Sequence, residues 1–400
     1  MNNSIIFRIT LFSFLIFNAF TSNVLSQNNA NQFSYPEISL SRFASSANHW
    51  YGIKDKSNII NFLPEKPRYQ TNEITKIADN ILLFQRNNGG WLKNYDMQAI
   101  LTSEQVDSVV KTKASTHTTF DNSTTYTQIE YLASVYSITH TDKYKKACLR
   151  GIQFCLNAQY PNGGWPQYFP IETKNYSRRI TYNDGAYMGI MELMQKIATR
   201  DSDYNFVSEP LRKKVQNAYN KGLECILNTQ IVENGRMTVW CQQHDEITMQ
   251  PAWARAFEPP SICNGESVSI VLFLMKIKNP DDRIIKSIQN AVKWFAESKI
   301  LYTRVETINS EAEDTKYRTI TTDNIVVTDS LAKPIWTRYY ELGSHRPQFC
   351  NRDSKFVYSL AGVSRERRVG YGWYTYEPQK VLNKYPAWQK KWAPNENVLK

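Results

Sequence analysis

Two short acidic segments contain oxygen-bearing side chains that could hold a hard cation. Asp121 with Asn122 precedes one stretch of helical spacing, and Asp184 precedes another. Carboxylate and amide oxygens are the ligands that calcium prefers in proteins. The same residue types are also common helix N-caps and favourable partners of the positive end of a helix dipole. Spacing alone leaves both interpretations open.

Three arginines lie next to aromatic residues in the second half of the chain: Arg255, Arg338 and Arg352. A guanidinium group binds a carboxylate through two parallel hydrogen bonds, so these positions suit the capture of sugar carboxylates. Pairing with carboxylates of the protein itself is the open structural alternative. The sequence has no GxSxG, HExxH or P-loop motif, and its five histidines are scattered. A histidine-ligated metal is therefore not expected.

Composition permits an acidic polymer as a partner. The 400 residues carry a formal net charge of +11, and 13% of them are aromatic. A basic protein can attract nucleic acid, an anionic membrane or a polyanionic polysaccharide. There is no dense run of Lys and Arg and no nucleic-acid-binding motif, so nucleic acid is not expected. Aromatic rings that line a groove would suit stacking on sugars.

The N-terminus has the layout of a signal peptide. Arg8 precedes an apolar run over 9–20, and small or polar residues follow up to Gln27. The apolar run is too short to cross a bilayer well. We therefore expect residues 1–26 to direct export, which predicts a secreted or periplasmic protein. No later segment is apolar enough for a membrane span, so no membrane contact is expected after signal removal.

Helical periodicity dominates the rest of the chain. Apolar residues at helical spacing predict helices over 72–85, 125–139, 144–159, 211–230, 267–277 and 283–300. Between 301 and 330, stretches rich in Thr, Val and Ile (303–308 and 316–328) predict short strands or a hairpin. Residues 27–70 are interpreted as a lead-in and 71–400 as one domain. The six cysteines show no CxxC spacing, so buried free thiols are expected.

A weak internal repeat links three helix ends. A glutamine precedes an Asn-Gly turn and a tryptophan at Gln85 to Trp91, again at Gln159 to Trp165, and in a degenerate form at Gln230 to Trp240. Asn-Gly supplies the left-handed residue that stops a helix, and the tryptophan can cover the helix end. Three helical hairpins of this kind could close into a ring. The predicted fold is therefore all-α, a toroid of helical hairpins with small β or irregular insertions.

Several longer blocks together resemble one known family. They are Asn88–Asn94, Asp121–Gln128, Tyr160–Gln167, Tyr182–Ala186, Gln243–Asp245, Ala254–Pro260, Trp336–Glu341 and Asn351–Asp353. In this order, from about Ala78 to Trp392, they resemble the family 10 polysaccharide lyases. These are pectate lyases with an (α/α)₃ toroid. The resemblance implies a pectate lyase, a carbon–oxygen lyase that cleaves α-1,4-polygalacturonate by calcium-assisted β-elimination and leaves 4,5-unsaturated oligogalacturonates. We expect the secreted protein to be a monomer.

The resemblance also implies roles for individual residues. Asp121 and Asp184 match the catalytic-site acids that hold calcium against the substrate carboxylate, with Asn122 as a neutral helper. Arg352 matches the arginine base of the family. Arg255 and Arg338 match its substrate-binding arginines.

This chain departs from the family pattern at several positions near these blocks. Ser123 and Thr124 replace the usual Gly-Ala, Leu92 replaces Pro, Thr337 replaces Ala, and Ser354 replaces Gly. None of these changes removes a group with an implied role.

Two other functions fit part of the pattern. An inverting glycoside hydrolase would need a pair of carboxylates separated by room for a water molecule, for which Asp184 and Asp245 are the candidates. A pectin-binding protein without activity is motivated by the departures beside Asp121. Calcium dependence and unsaturated products would distinguish the lyase from both.

Overall fold

The structure is a computed structural model that describes residues 35–44 and 67–400. The predicted signal peptide, 1–26, and most of the lead-in lie outside the described residues. Ten α-helices occur in the described part: α1 (Ile74–Phe84), α2 (Ser103–Val110), α3 (Tyr126–Thr139), α4 (Asp142–Asn157), α5 (Ala186–Ala198), α6 (Glu209–Thr229), α7 (Asn264–Leu274), α8 (Asp282–Glu297), α9 (Arg365–Gly370) and α10 (Pro378–Trp392). The six helices predicted from periodicity are confirmed as α1, α3, α4, α6, α7 and α8.

The long helices form two packed rows. Helices α1, α4, α6 and α8 follow one another in one row, and α3, α5 and α7 form the second row beside them. Helix α10 packs against α7 and α8. Each row buries its apolar face against the other, which creates one large hydrophobic core.

The repeated glutamines and tryptophans connect successive helices of the first row. Gln85 Nε2 donates to the Gly89 oxygen in its own turn (2.9 Å) and to the Ala147 oxygen in α4 (2.9 Å). Trp91 Nε1 donates to the Ile81 oxygen at the end of α1 (2.7 Å). Gln159 likewise donates to a backbone oxygen in its own turn and to one in α6. Gln230 donates to a backbone oxygen in its own turn and to one in α8. The repeat thus satisfies helix-end carbonyls and fixes the spacing of the row.

A close contact between α3 and α5 brings two functional segments together. The ring of Tyr126, the first residue of α3, lies against Gly189 in α5, where an added Cβ would come within 2.1 Å of the ring. The Tyr126 hydroxyl also faces Gly185, just before α5. The N-terminal ends of these two helices therefore meet. Asp121 precedes one of them and Asp184 precedes the other.

The described chain also contains twelve β-strands, which fall between and after the helices. They are β1 (Ile180–Thr181), β2 (Val232–Glu233), β3 (Arg236–Met237), β4 (Gln243–His244), β5 (Ile262–Cys263), β6 (Thr303–Asp314), β7 (Thr319–Thr328), β8 (Trp336–Thr337), β9 (Tyr339–Tyr340), β10 (Pro347–Cys350), β11 (Phe356–Val357) and β12 (Tyr374–Thr375). All pairs are antiparallel, and β11-β10-β9-β5 form a four-stranded sheet. The predicted hairpin is confirmed as β6–β7.

The predicted all-α toroid class is wrong, because the protein is a mixed α/β structure with several small sheets. The physical reason is that most strands are only two residues long and pair with distant parts of the chain. Strand β1 pairs with β4, and β5 pairs with β9. Local periodicity cannot reveal such pairs, whereas it does reveal the long helices.

Two further predictions concern the cysteines and the membrane. All six cysteines are buried and free, as predicted, and burial raises the pKa of the Cys148 thiol. Among the described residues, no helix has the length and apolar character needed to cross a bilayer.

Candidate active site

Asp121 lies in a buried turn whose backbone is held in unusual conformations. Asn122, Ser123 and Thr125 have φ values of +50°, +59° and +72°, which L-residues rarely adopt. Such strain concentrates at functional sites. Asp121 is 3% exposed, and its Oδ2 accepts a hydrogen bond from Lys93 Nζ at 2.5 Å. Its buried Oδ1 has no hydrogen-bond partner, so one carboxylate oxygen is available to a ligand.

Asp184 lies just before α5 in a left-handed conformation, with φ +50° and ψ +28°. Its Oδ2 accepts a hydrogen bond from Asn183 Nδ2 at 2.7 Å. The residue as a whole is exposed to solvent, although neighbouring protein atoms partly bury its carboxylate. This burial, together with the charges of Asp121 and Glu266, raises the pKa of Asp184 to about 7. Two carboxylates that repel each other in this way form a favourable place for a cation.

The residues around Asp121 and Asp184 fit a calcium ion in part. The unpartnered Oδ1 of Asp121 and the mutual repulsion of the two acids favour a hard divalent cation. The buried Asn122 lies beside them, and its Nδ2 donates weakly to Asn94 Oδ1 at 3.5 Å. No cluster of three or more His, Cys, Asp or Glu that could hold a metal ion occurs in the part of the chain that the structure describes. A calcium ion here would therefore need amide or backbone oxygens, water or substrate to complete its ligand set.

Arg338 is held at the N-terminal end of α7. Its Nη2 donates to Glu266, to Asn183 Oδ1 (3.1 Å) and to Gln242 Oε1 (3.2 Å). Burial acts to lower the pKa of Arg338, but Glu266, Tyr371 and Tyr339 together outweigh it and raise the pKa. The buried Nε has no partner. Because Asn183 is the neighbour of Asp184, this bond places Arg338 beside the acidic pair.

Arg255 lies on a loop close enough to act electrostatically on Asp184, and 44% of its side chain is exposed. We call the surface shared by Asp121, Asp184, Arg338 and Arg255 the groove. Its Nε and Nη2 donate to the two carboxylate oxygens of Glu258, at 2.7 and 2.5 Å. Burial acts to lower the pKa of Arg255, but the bond to Glu258 raises it overall. Tyr371 donates its hydroxyl hydrogen to the same carboxylate at 2.8 Å. Its ring lies under Arg338, 4.6 Å from the guanidinium carbon, and so connects the two arginines.

Arg352 lies farther along the same side. Its Nε and Nη2 donate to the carboxylate of Glu366 at 2.9 and 3.1 Å, and this bond raises the pKa of Arg352. The guanidinium stacks on the ring of Tyr317, 3.8 Å away. On another side it faces the ring of Phe257, which Arg255 also contacts.

The structure thus brings Asp121, Asp184, Arg338 and Arg255 together. It places Arg352, the fifth charged residue predicted for the site, beside them. The charges of Asp121, Arg338 and Arg255 all act on Asp184. Arg352 interacts electrostatically with Arg255. The alternative interpretation of the arginines was that they pair with carboxylates of the protein itself. Each of the three does so in the structure.

Sequence reasoning missed the groups that hold these residues in place. They are Lys93, Gln242, Glu258, Glu266, Glu366 and Tyr371. Lys93 and Glu258 are inside blocks that carried the family resemblance, so a search for opposite charges within those blocks would have found them. Glu266 and Glu366 belong to the first turns of α7 and α9 and had no local signal. Their distance in sequence from Arg338 and Arg352 concealed the pairing.

Comparison with known proteins identifies a matching family and similar structures. Residues 85–382 match the pectic acid lyase family. Two solved structures of a family 10 polysaccharide lyase from Cellvibrio cellulosa resemble the chain, each with 27% sequence identity and a TM-score of 0.67. The similarity covers 79% of this chain and 96% and 95% of those two chains. One of them is an aspartate-to-alanine mutant in complex with trigalacturonic acid. No curated protein sequence matches the chain.

The fold and the site therefore define a polysaccharide lyase. The chain belongs to the pectic acid lyase family, because the match extends over most of its length.

Proposed function

We propose that this protein is a calcium-dependent pectate lyase that cleaves α-1,4-polygalacturonate by β-elimination. The observation that carries the proposal is the pair Asp121 and Asp184 at the meeting of two helix ends, with Arg338 and Arg255 beside it. The arrangement offers acids to a cation and guanidinium groups to a substrate carboxylate. The trigalacturonic acid bound to the similar lyase supports a galacturonate polymer as the substrate.

Asp121 and Asp184, with Asn122 as a neutral neighbour, are the residues that would hold calcium. The bound ion supplies positive charge against the uronate carboxylate and so stabilises the negative charge that develops when C5 loses its proton. Arg338 adds positive charge from the other side and orients the sugar ring.

The reaction removes the proton from C5, forms a C4–C5 double bond and breaks the bond from C4 to the glycosidic oxygen. That oxygen leaves with the bonding electrons and takes a proton from water to become a hydroxyl group of the departing sugar. An arginine must take up the proton from C5. The family resemblance assigns this role to Arg352. The position beside Asp184 favours Arg255 instead, because Arg255 acts electrostatically on Asp184 and is exposed to the groove. We propose that Arg255 takes the proton and that Arg352 contacts the substrate chain beside it.

An arginine base must be neutral before it can accept a proton. Arginine has an ordinary pKa of ~12.5–13.8, and each unit of depression corresponds to about 1.4 kcal/mol. Glu258 raises the pKa of Arg255 in the structure. We therefore propose that the charges of calcium and neighbouring arginines lower this pKa when substrate is bound. An alkaline pH optimum follows, and a rate maximum below neutrality would contradict an arginine base.

The hydrolase alternative needs Asp184 and Asp245 to act together. Asp245 is engaged elsewhere, because its Oδ2 pairs with Arg179 and its Oδ1 accepts hydrogen bonds from two backbone amides of its own loop. This arrangement makes Asp245 a structural residue and favours elimination.

A labelled-water experiment tests the proposal. The protein is incubated with polygalacturonate and calcium in ¹⁸O-enriched water, and the products are analysed by mass spectrometry. Elimination adds no water across the broken bond, so the expected products lack ¹⁸O and carry an unsaturated end. One ¹⁸O atom per break would identify a hydrolase. The absence of any products with the substrate still bound would identify a binding protein.

The cellular setting is also a proposal. We propose that residues 1–26 direct export, that the mature protein acts as a monomer outside the cytoplasm, and that its partner there is the pectate polymer. Mass determination of the exported protein would show whether these residues are removed.

A further inference from the structure

An exposed aromatic pair lies outside the residues assigned so far. The rings of Trp253 and Phe356 are stacked, with centroids 5.8 Å apart and an angle of 16° between their planes. Although each covers one face of the other, Trp253 remains 38% exposed and Phe356 43% exposed. Contiguous apolar surface of this kind on a folded protein often marks a binding site.

The aromatic pair is attached firmly to the segments that bear two of the site arginines. Trp253 precedes Arg255 on one loop, and Phe356 begins β11, directly after the turn that carries Arg352. Phe356 pairs with Cys350 across the β10–β11 ladder. The Cys350 thiol in turn lies 3.5 Å from the Ala256 oxygen in the Arg255 loop. The pair therefore has a fixed place relative to the arginines.

The surface next to the pair has a chemistry that matches a uronate sugar. Arg352 lies between the ring of Tyr317, at 3.8 Å, and the ring of Phe257, at 5.2 Å. Tyr317 is itself 50% exposed. A galacturonate unit has an apolar ring face and a carboxylate. Aromatic faces can stack on the ring face while a guanidinium binds the carboxylate.

We propose that Trp253 and Phe356 form an additional sugar subsite, which stacks on a uronate unit of the bound chain other than the unit that is cleaved. The inference rests on the proposed function, because it assumes that a polymer bound at the catalytic residues continues past Arg352 to the aromatic pair. It predicts that the protein favours chains long enough to reach the aromatic pair.

Chain-length dependence tests this subsite. The ratio of kcat/KM for polygalacturonate to kcat/KM for the shortest oligogalacturonate that is cleaved is measured for the wild-type protein, Trp253→Ala, Trp253→Phe and Phe356→Ala. We expect Trp253→Ala and Phe356→Ala to lower the ratio about 5-fold, the scale of one aromatic contact. Trp253→Phe keeps a ring and should restore most of it. Tyr302→Ala removes an exposed aromatic ring elsewhere and serves as the control.

Each outcome decides the proposal. An unchanged ratio in Trp253→Ala and Phe356→Ala, or an equal loss on substrates of every length, would overturn the subsite. If the wild-type protein released no product, the proposed function would fail separately. The subsite would then be decided by gel electrophoresis in the presence of polygalacturonate. Retardation of the wild-type protein that is weakened in Trp253→Ala but not in Tyr302→Ala supports it, and equal mobility overturns it.

Discussion

At the scale of single residues, the site is built from charges that are only partly neutralised by one another. Each predicted arginine has one carboxylate partner, and Asp121 has one lysine partner but a free buried oxygen. Breaking such pairs costs free energy unless a ligand replaces the lost partner. A cation and a carboxylate are the two ligands that would do so here. The proposed metal and substrate together are therefore the natural complement of the site.

Variants of the two candidate base residues should differ in the kinetic constant that they change. Arg255→Lys and Arg255→Ala are expected to lower kcat at least about 100-fold, because general-base contributions are of that size. Arg352→Ala is expected mainly to raise KM, because it removes a contact with the substrate chain. Steady-state kinetics at saturating calcium measure both. A fall in kcat for Arg352→Ala with little effect in Arg255→Ala would restore the role that the family resemblance implies for Arg352.

Lys93 should compete with calcium, because its ammonium group pairs with Oδ2 of Asp121. Lys93→Met removes this positive charge and is expected to tighten calcium binding about 10-fold, since one unit charge near a surface site has an effect of this order. Asp121→Asn should weaken binding. Isothermal titration calorimetry with calcium alone measures both without reference to activity. Weaker calcium binding in Lys93→Met would contradict the competition.

The raised pKa of Asp184 predicts a pH effect on stability. Between its ordinary pKa of 3.8 and the folded value of about 7, the folded protein binds the proton more tightly than the unfolded chain. The contribution of Asp184 to the free energy of unfolding is therefore highest at low pH, where its carboxyl group is protonated in both states. It falls as the pH rises toward 7, because the folded protein must then hold a carboxylate that the unfolded chain accommodates more easily. In calcium-free buffer, the melting temperature of Asp184→Asn minus that of the wild-type protein should increase from pH 5 to pH 8. A difference that is constant with pH would contradict the raised pKa.

At the scale of secondary-structure elements, helix ends position the site. Asp121 and Asp184 precede α3 and α5, and Glu266, which holds Arg338, lies in the first turn of α7. The N-terminal ends of these helices add partial positive charge to the groove. The same end of the second helix row therefore supplies the two acids, the carboxylate that holds Arg338, and a favourable field for anions.

The repeated glutamine is expected to stabilise the first helix row. Gln85→Leu would leave the Gly89 and Ala147 oxygens without this donor and remove the contact with Arg150. A loss of about 1–3 kcal/mol in the free energy of unfolding is expected, because buried polar groups would lose their partners. Gln153→Leu, an exposed change in α4, is the matched control. Urea denaturation measures both, and equal stabilities would contradict the role of the repeat.

The same elements show how far sequence reasoning can reach. Helical periodicity and the Gln-to-Trp repeat predicted the long helices and their stops, because both signals depend on neighbouring residues. The mechanism predicted for the stops is wrong, because the helices end at Phe84 and Asn157, before the left-handed Gly89 and Gly163, which shape the turns that follow. Two-residue strands such as β1 and β5 had no signal, since their partners lie far away in sequence. For the same reason Glu266 and Glu366, which bind Arg338 and Arg352, were not predicted, although the arginines themselves were.

At the scale of the whole molecule, two helix rows form a stable support and the β-rich second half supplies the arginine side of the groove. Asp121 and Asp184 belong to the helical part, whereas Arg338 and Arg352 follow the β6–β7 hairpin. The functional groove thus depends on both parts of a mixed α/β protein. Its net charge of +11 is suited to attracting a polyanionic chain.

The most direct test of calcium-assisted elimination is ultraviolet absorbance during incubation with polygalacturonate. The 4,5-unsaturated product absorbs, whereas neither the substrate nor a hydrolysis product contains that double bond. The wild-type protein should give a steadily rising absorbance with added calcium, no rise with a chelator, and recovery when calcium is restored in excess. Release of reducing ends without absorbance, or an equal rise with the chelator present, would contradict the account.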